Sequence, residues 1–148
     1  MTVHLNNAVA PAAKRDTMSA MWRGTRHTCP SCGTGSLYAR YLKVRDHCTN
    51  CGEALHHHRA DDAPPYFTIF IVGHLAVAGV LAMEQAMKPS VWTHIILWMP
   101  FVVICSLAML PRIKGALVGL QWALRMHGFA EDERSAASDT LTPPSNTP

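Results

Sequence analysis

Two stretches of this chain run for 18 and 20 residues without a formal charge: Tyr66–Met83 (YFTIFIVGHLAVAGVLAM) and Val91–Leu110 (VWTHIILWMPFVVICSLAML). A helix at a water boundary needs a polar face, and neither stretch has one. At 1.5 Å per residue they would extend about 27 and 30 Å, enough to cross a hydrocarbon core of roughly 30 Å. The expectation is a transmembrane hairpin over 66–110, with spans at 66–83 and 91–110, rather than the buried core hairpin of a soluble protein. Composition agrees, because the 49% of residues that are hydrophobic concentrate there while the flanks carry most of the charge.

The connection between the spans is short and contains Lys88 and Pro89, so both termini fall on one side. Eight Lys and Arg residues precede the first span, from Lys14 to Arg59, and Arg112, Lys114, Arg125 and Arg134 follow the second. The positive-inside rule puts both termini in the cytoplasm. Met1–Arg26 has no apolar core after a basic start, so no cleaved leader is expected there.

Four of the five cysteines form two C-x-x-C pairs, CPSCG (Cys29–Gly33) and CTNCG (Cys48–Gly52), with fifteen residues between Cys32 and Cys48. This spacing fits a metal ribbon or a disulfide scaffold, and a reducing cytoplasm favours metal. Cys29, Cys32, Cys48 and Cys51 are the expected ligands of one structural zinc, since four thiolates suit a closed tetrahedral site. A module of this size buries little core, so the ion would supply much of its folding free energy. The intervening SLYARYLKVRDH reads as the β-hairpin arm of a ribbon. Redox dithiol chemistry and an iron–sulfur cluster are the alternatives. Arg40, Lys43 and Arg45 make only a small basic patch, offset by Asp46, and nucleic acid is not expected as a partner.

Other groups invite chemistry but have simpler readings. His56, His57 and His58, with Asp61 and Asp62, could hold an exchangeable metal; a solvated juxtamembrane linker explains them as well. His74 lies mid-span and is read as a helix–helix hydrogen-bonding group, while His94 lies near the opposite surface. Their different depths disfavour bis-histidine haem within one chain, though two copies of His74 could meet across a homo-oligomer. Cys105 and Met109, like Met83 and Met87, share a helix face suited to copper, but packing is the ordinary use of such methionines; neither haem nor copper is expected. Pro100 is expected to kink the second span and free a carbonyl.

After Pro111, RIKGALVGLQWALRMHGF places Lys114, Gln121 and Arg125 on one stripe, as in a helix lying in the membrane interface with Trp122 at the boundary and Gly128 as its stop. The fold class expected is thus a membrane protein: a small cytoplasmic zinc ribbon (β), an α-helical transmembrane hairpin and an interfacial amphipathic helix. Its parts are a flexible N-terminal segment (1–24), the ribbon (25–60), a Pro-rich juxtamembrane linker (61–65), the hairpin (66–110), the amphipathic helix (111–128) and a disordered tail (129–148).

The segments CPSCGTGSLYARYLK, CTNCG, ADDAPPYFTIFIVGH and LPRIKGALVGLQWALRMHGF, in this order, resemble a bacterial membrane-protein family known as domain of unknown function 983. The resemblance runs over roughly Trp22 to Phe129, with the four cysteines at the family's knuckle positions. It implies a zinc-ribbon protein with two helices in a proteobacterial inner membrane. Family genes in many alphaproteobacteria stand among those for cytochrome c oxidase subunits and assembly factors. The resulting expectation is a non-enzymatic accessory or adaptor protein of the bacterial inner membrane, with membrane lipid and oxidase subunits or assembly factors as partners. A metal or haem carrier and a membrane thiol oxidoreductase are the rival functions.

Overall fold

The computed structural model describes residues 14–57 and 62–130; His58, Asp61, the first thirteen residues and the tail beyond 130 lie outside them. In chain order the elements are α1 (Thr17–Thr25), β1 (Tyr38–Arg40), β2 (Lys43–Val44), α2 (Ala63–Met87) and α3 (Val91–Ala123).

Helix α1 occupies part of the segment expected to be flexible. Asp16 caps it, accepting from the Met18 N–H and the Ser19 hydroxyl, which satisfies a donor that a helix start otherwise leaves open. These bonds, Ser19 first, hold the Asp16 carboxyl below its ordinary value. The helix becomes stable by packing on α3. A Cβ added to Gly24 would run into the backbone carbonyl of Gly115, and one added to Gly119 into that of Ala20. Ala20-x-x-x-Gly24 and Gly115-x-x-x-Gly119 are therefore facing small-residue notches that let the two backbones touch.

The strands pair antiparallel, Tyr38 opposite Val44 and Arg40 opposite Lys43, in the hairpin arm expected for SLYARYLKVRDH. Between them Leu42 takes a left-handed conformation (φ 59°). The core of this region gathers Cys29, Leu37, Val44, Cys48 and Leu55, and it is completed by Val118 from α3. The cysteine module is thus docked on α3 through Val118, more than sixty residues beyond Leu55, rather than held out on a proline-rich stalk.

Both long helices are long and apolar enough to cross a membrane. Helix α2 has 25 residues and starts three positions before the expected span, within the supposed linker, with Pro64 and Pro65 in its first turn, where a missing N–H costs nothing. Thr68 is buried but donates to the Pro64 carbonyl at 2.8 Å. The helix ends at Lys88 in a left-handed cap, before Pro89. Helix α3 has 33 residues and passes through both Pro100 and Pro111, so the separate interfacial helix over 111–128 is not formed. At ~1.5 Å per residue it is about 50 Å long, well beyond the hydrocarbon thickness. Its last turns carry Gly115, Val118, Gly119, Trp122 and Ala123 buried against the rest of the protein.

The two helices meet as a hairpin. Trp98 fills the notch that Gly79 leaves in α2, and His94 Nε2 lies 3.1 Å from Glu84 Oε2 near the turn. The remaining faces are open: Phe70 is 63% exposed and Ile96 71%, as no core helix of a water-soluble protein would be.

Candidate metal centre

Each C-x-x-C folds into the same small loop. The Gly33 N–H donates to the Cys29 carbonyl and the Gly52 N–H to the Cys48 carbonyl, at 2.9 and 3.0 Å. Both glycines adopt positive φ, 75° and 73°, a conformation that costs glycine little. The loops are closed by the Cys29 N–H to the Gly35 carbonyl (2.7 Å) and the Cys48 N–H to the Glu53 carbonyl (2.9 Å). Isolated bridges, Thr28 with Ser36 and His47 with Ala54, then flank the two loops in matching positions. The chain thus presents two copies of one device, facing each other.

The four sulfurs lie within 4.8 Å of one another and can hold a metal ion. Cys29 Sγ is 3.8 Å from Cys51 Sγ, and Cys32 Sγ is 3.8 Å from Cys48 Sγ, so the close approaches join one loop to the other. An ion held tetrahedrally at ~2.3 Å by four thiolates places its sulfurs about 3.8 Å apart, and the donor set fits that geometry. A covalent S–S bond, at about 2.05 Å, would need far closer sulfurs.

The sulfurs are not equivalent electrically. Burial pushes the Cys29 thiol well above its ordinary value, and burial also raises Cys51. The Thr34 hydroxyl, 3.3 Å from Cys32 Sγ, leads a set of donors, including the Gly35 and Thr34 N–H groups, that lowers Cys32 to about 5. Asn50 ties the loops together: its N–H points at Cys48 Sγ (3.4 Å) and its side-chain amide donates to the Thr34 hydroxyl (2.9 Å). Gly35 packs so closely that a Cβ there would overlap Cys48 Sγ.

The site is anchored by side chains whose importance no local pattern announced. The Arg23 guanidinium of α1 donates to the carbonyls of Pro30 (3.2 Å) and Ser31 (2.7 Å), clasping the first loop. Glu53, just after the second loop, accepts from Trp122 Nε1 at 2.7 Å; Arg15 lies over the Trp122 ring and donates to the Trp122 carbonyl. Trp122 is therefore an internal buttress, not a group exposed at a boundary. From the β-hairpin, the Tyr38 hydroxyl donates to the Pro111 carbonyl (2.7 Å) and the Tyr41 hydroxyl to the Leu107 carbonyl (2.8 Å). Burial raises the Tyr38 hydroxyl above its ordinary value, which keeps its donor proton in place.

The Tyr41 contact explains how α3 survives Pro111. A proline at 111 cannot donate to the carbonyl four residues back, that of Leu107, and Tyr41 supplies the missing donor.

The other candidates do not join the cysteines. The ring centres of His56 and His57 lie 4.0 Å apart with the rings tilted by 40°, with His47 beyond His56 and Phe129 beyond His57; among the described residues only the four cysteines form a ligand group of three or more. His74 bonds within its own helix, Nδ1 to the Phe70 carbonyl at 2.7 Å, so the histidine that links helices is His94. Cys105 is a half-buried free thiol on α3.

A family model described as a protein of unknown function (DUF983) matches residues 38–122. The chain belongs to this family. The matched stretch opens on Tyr38 and closes on Trp122, taking in the second cysteine loop and both long helices, whereas Cys29, Cys32 and α1 precede it. In this DUF983 protein, then, half of the ligand set is supplied by geometry outside the matched region. No curated protein and no solved structure matches the chain.

Proposed function

We propose that this protein is a membrane-anchored adaptor of the bacterial inner membrane, in which one structural zinc stiffens a cytoplasmic docking face. The observation that carries this reading is the fixed coupling of the thiolate cluster to α3 through Tyr38, Tyr41 and the Glu53–Trp122 bond. Zinc is the metal assigned because four thiolates at tetrahedral spacing form a closed site with no position left for substrate. The two apolar helices cross the bilayer, and the excess of Lys and Arg beside them keeps both termini in the cytoplasm. A rigid face close to the headgroups suits a membrane-embedded protein partner. Subunits or assembly factors of a respiratory cytochrome c oxidase are the first to test, on the strength of the family resemblance.

The test is affinity purification of the tagged protein from native membranes in mild detergent, with mass spectrometry of retained proteins and elemental analysis of retained metal. One zinc per chain with enrichment of oxidase components supports both halves of the proposal. One zinc with a different reproducible partner keeps the adaptor and rejects the oxidase.

A second reading, a thiol oxidoreductase, draws on the lowered Cys32 thiol and the exposed Cys51. It requires metal-free protein whose thiols cycle with disulfides, which the same metal analysis and thiol counting would reveal.

A further inference from the structure

The β-hairpin leans on α3 without closing against it. Between them lies a cleft of about 220 Å³ walled by His27, Tyr38, Arg40, Tyr41 and Pro111. No carboxylate is among its lining residues, and the exposed Arg40 guanidinium has no ion-pair or hydrogen-bond partner among the described residues. His27 Nε2 is buried and likewise unpartnered. The lining therefore holds an uncompensated cation, and none of its residues supplies the anion that would pair with it. The tyrosine hydroxyls do not fill that need, since both donate to α3 carbonyls.

The level of the cleft along α3 identifies the missing group. Tyr41 touches the carbonyl of Leu107 and Tyr38 that of Pro111, where the uncharged run Val91–Leu110 gives way to Arg112 and Lys114. On the membrane reading above, on which this inference rests, that is the depth of lipid phosphates. Below it Val103 and Leu107 are about half exposed, an apolar track for acyl chains.

We propose that the cleft is a binding site for an anionic phospholipid, its phosphate held by Arg40 beside His27 and its chains lying along α3. The lipid would cement the ribbon to the helix hairpin from the membrane side. A negative net charge is selected because the positive charge of Arg40 has no carboxylate to offset it.

The full chain is reconstituted in phosphatidylcholine vesicles containing phosphatidylglycerol, re-extracted in mild detergent, and its retained lipids are measured by native mass spectrometry. One cation near a lipid surface corresponds to an enrichment of phosphatidylglycerol of about fivefold over its bulk share. That enrichment is expected in the wild type, lost in Arg40→Gln, largely restored in Arg40→Lys, and unaffected by millimolar inorganic phosphate. Unchanged metal content in the variants certifies the fold. Absence of enrichment in the wild type, or enrichment that survives Arg40→Gln, overturns the site, and displacement by inorganic phosphate reassigns it to a free anion. Alkaline carbonate extraction separates the two readings: release of the native protein from membranes defeats the transmembrane assignment, whatever the cleft binds.

Discussion

Around the cysteines, Leu37, Leu55 and Val118 are fully buried and the contacts are directional, with each loop, helix end and tyrosine bonded to a named partner. Along the hairpin, Phe70 and Ile96 remain mostly exposed, and the contacts between the two helices include the Gly79–Trp98 notch and the His94–Glu84 pair. On the membrane reading proposed above, the difference follows from the solvent each region would meet. A small module in water must compensate for a short core with a metal and with directional hydrogen bonds. An apolar hairpin in lipid needs only internally bonded helices, because lipid covers its side chains.

The largest effect should come from removing a ligand. Cys48→Ser takes away one of the four sulfurs, and structural zinc contributes on the order of 10 kcal/mol in small zinc modules. The expected outcome is complete loss of bound metal and protease sensitivity in the ribbon, with α2 and α3 still helical in detergent by circular dichroism. Collapse of the helices as well would show that the two regions fold as one unit. Gly35→Ala is the graded version, since its methyl would press on Cys48 Sγ; a fall in metal affinity of about 10- to 100-fold is expected, read by chelator competition.

The next effect probes the α1 crossing. Gly115→Leu forces a side chain into the Gly24 backbone, and overpacking of this kind costs about 1–3 kcal/mol or more. Helix α1 should detach and expose Arg23 and the first cysteine loop, so that chelators strip the metal faster while the hairpin is unchanged. Gly73→Leu on α2, where an added Cβ meets nothing, is the matched control and should leave metal release unaltered.

Legibility in the sequence divides along the same line. The cysteine loops, the β-hairpin and the two apolar runs are local patterns, and the structure reproduces them. Helix α1 is hard to read locally because its segment is short and the surface it packs on is remote: its partner notch, Gly115 and Gly119, lies some ninety residues on. Ala20-x-x-x-Gly24 facing Gly115-x-x-x-Gly119 was the available signal. Trp122 and Glu53 carry no spacing signature at all, and their bond appears only once α3 continues past Pro111. That continuation defeated the sequence reading for a physical reason: proline breaks a helix when the carbonyl it abandons goes unsatisfied, and here a tyrosine from a distant hairpin satisfies it.

This account of Pro111 makes the smallest effect the most diagnostic. Tyr41→Phe removes the donor to the Leu107 carbonyl and should cost about 1 kcal/mol, measured as denaturant-driven metal release in a fixed detergent. Pro111→Ala restores a backbone N–H at that position, which can bond to the same carbonyl and make Tyr41 redundant. In the double variant the tyrosine substitution should therefore become nearly neutral, a coupling of about 1 kcal/mol between the two positions. Tyr38→Phe is the internal control: its acceptor is the carbonyl of residue 111 itself, which alanine retains, so its cost should persist in either background. Equal costs of Tyr41→Phe with and without the proline would mean that α3 tolerates Pro111 by other means, and that the ribbon rests on the helix without repairing it.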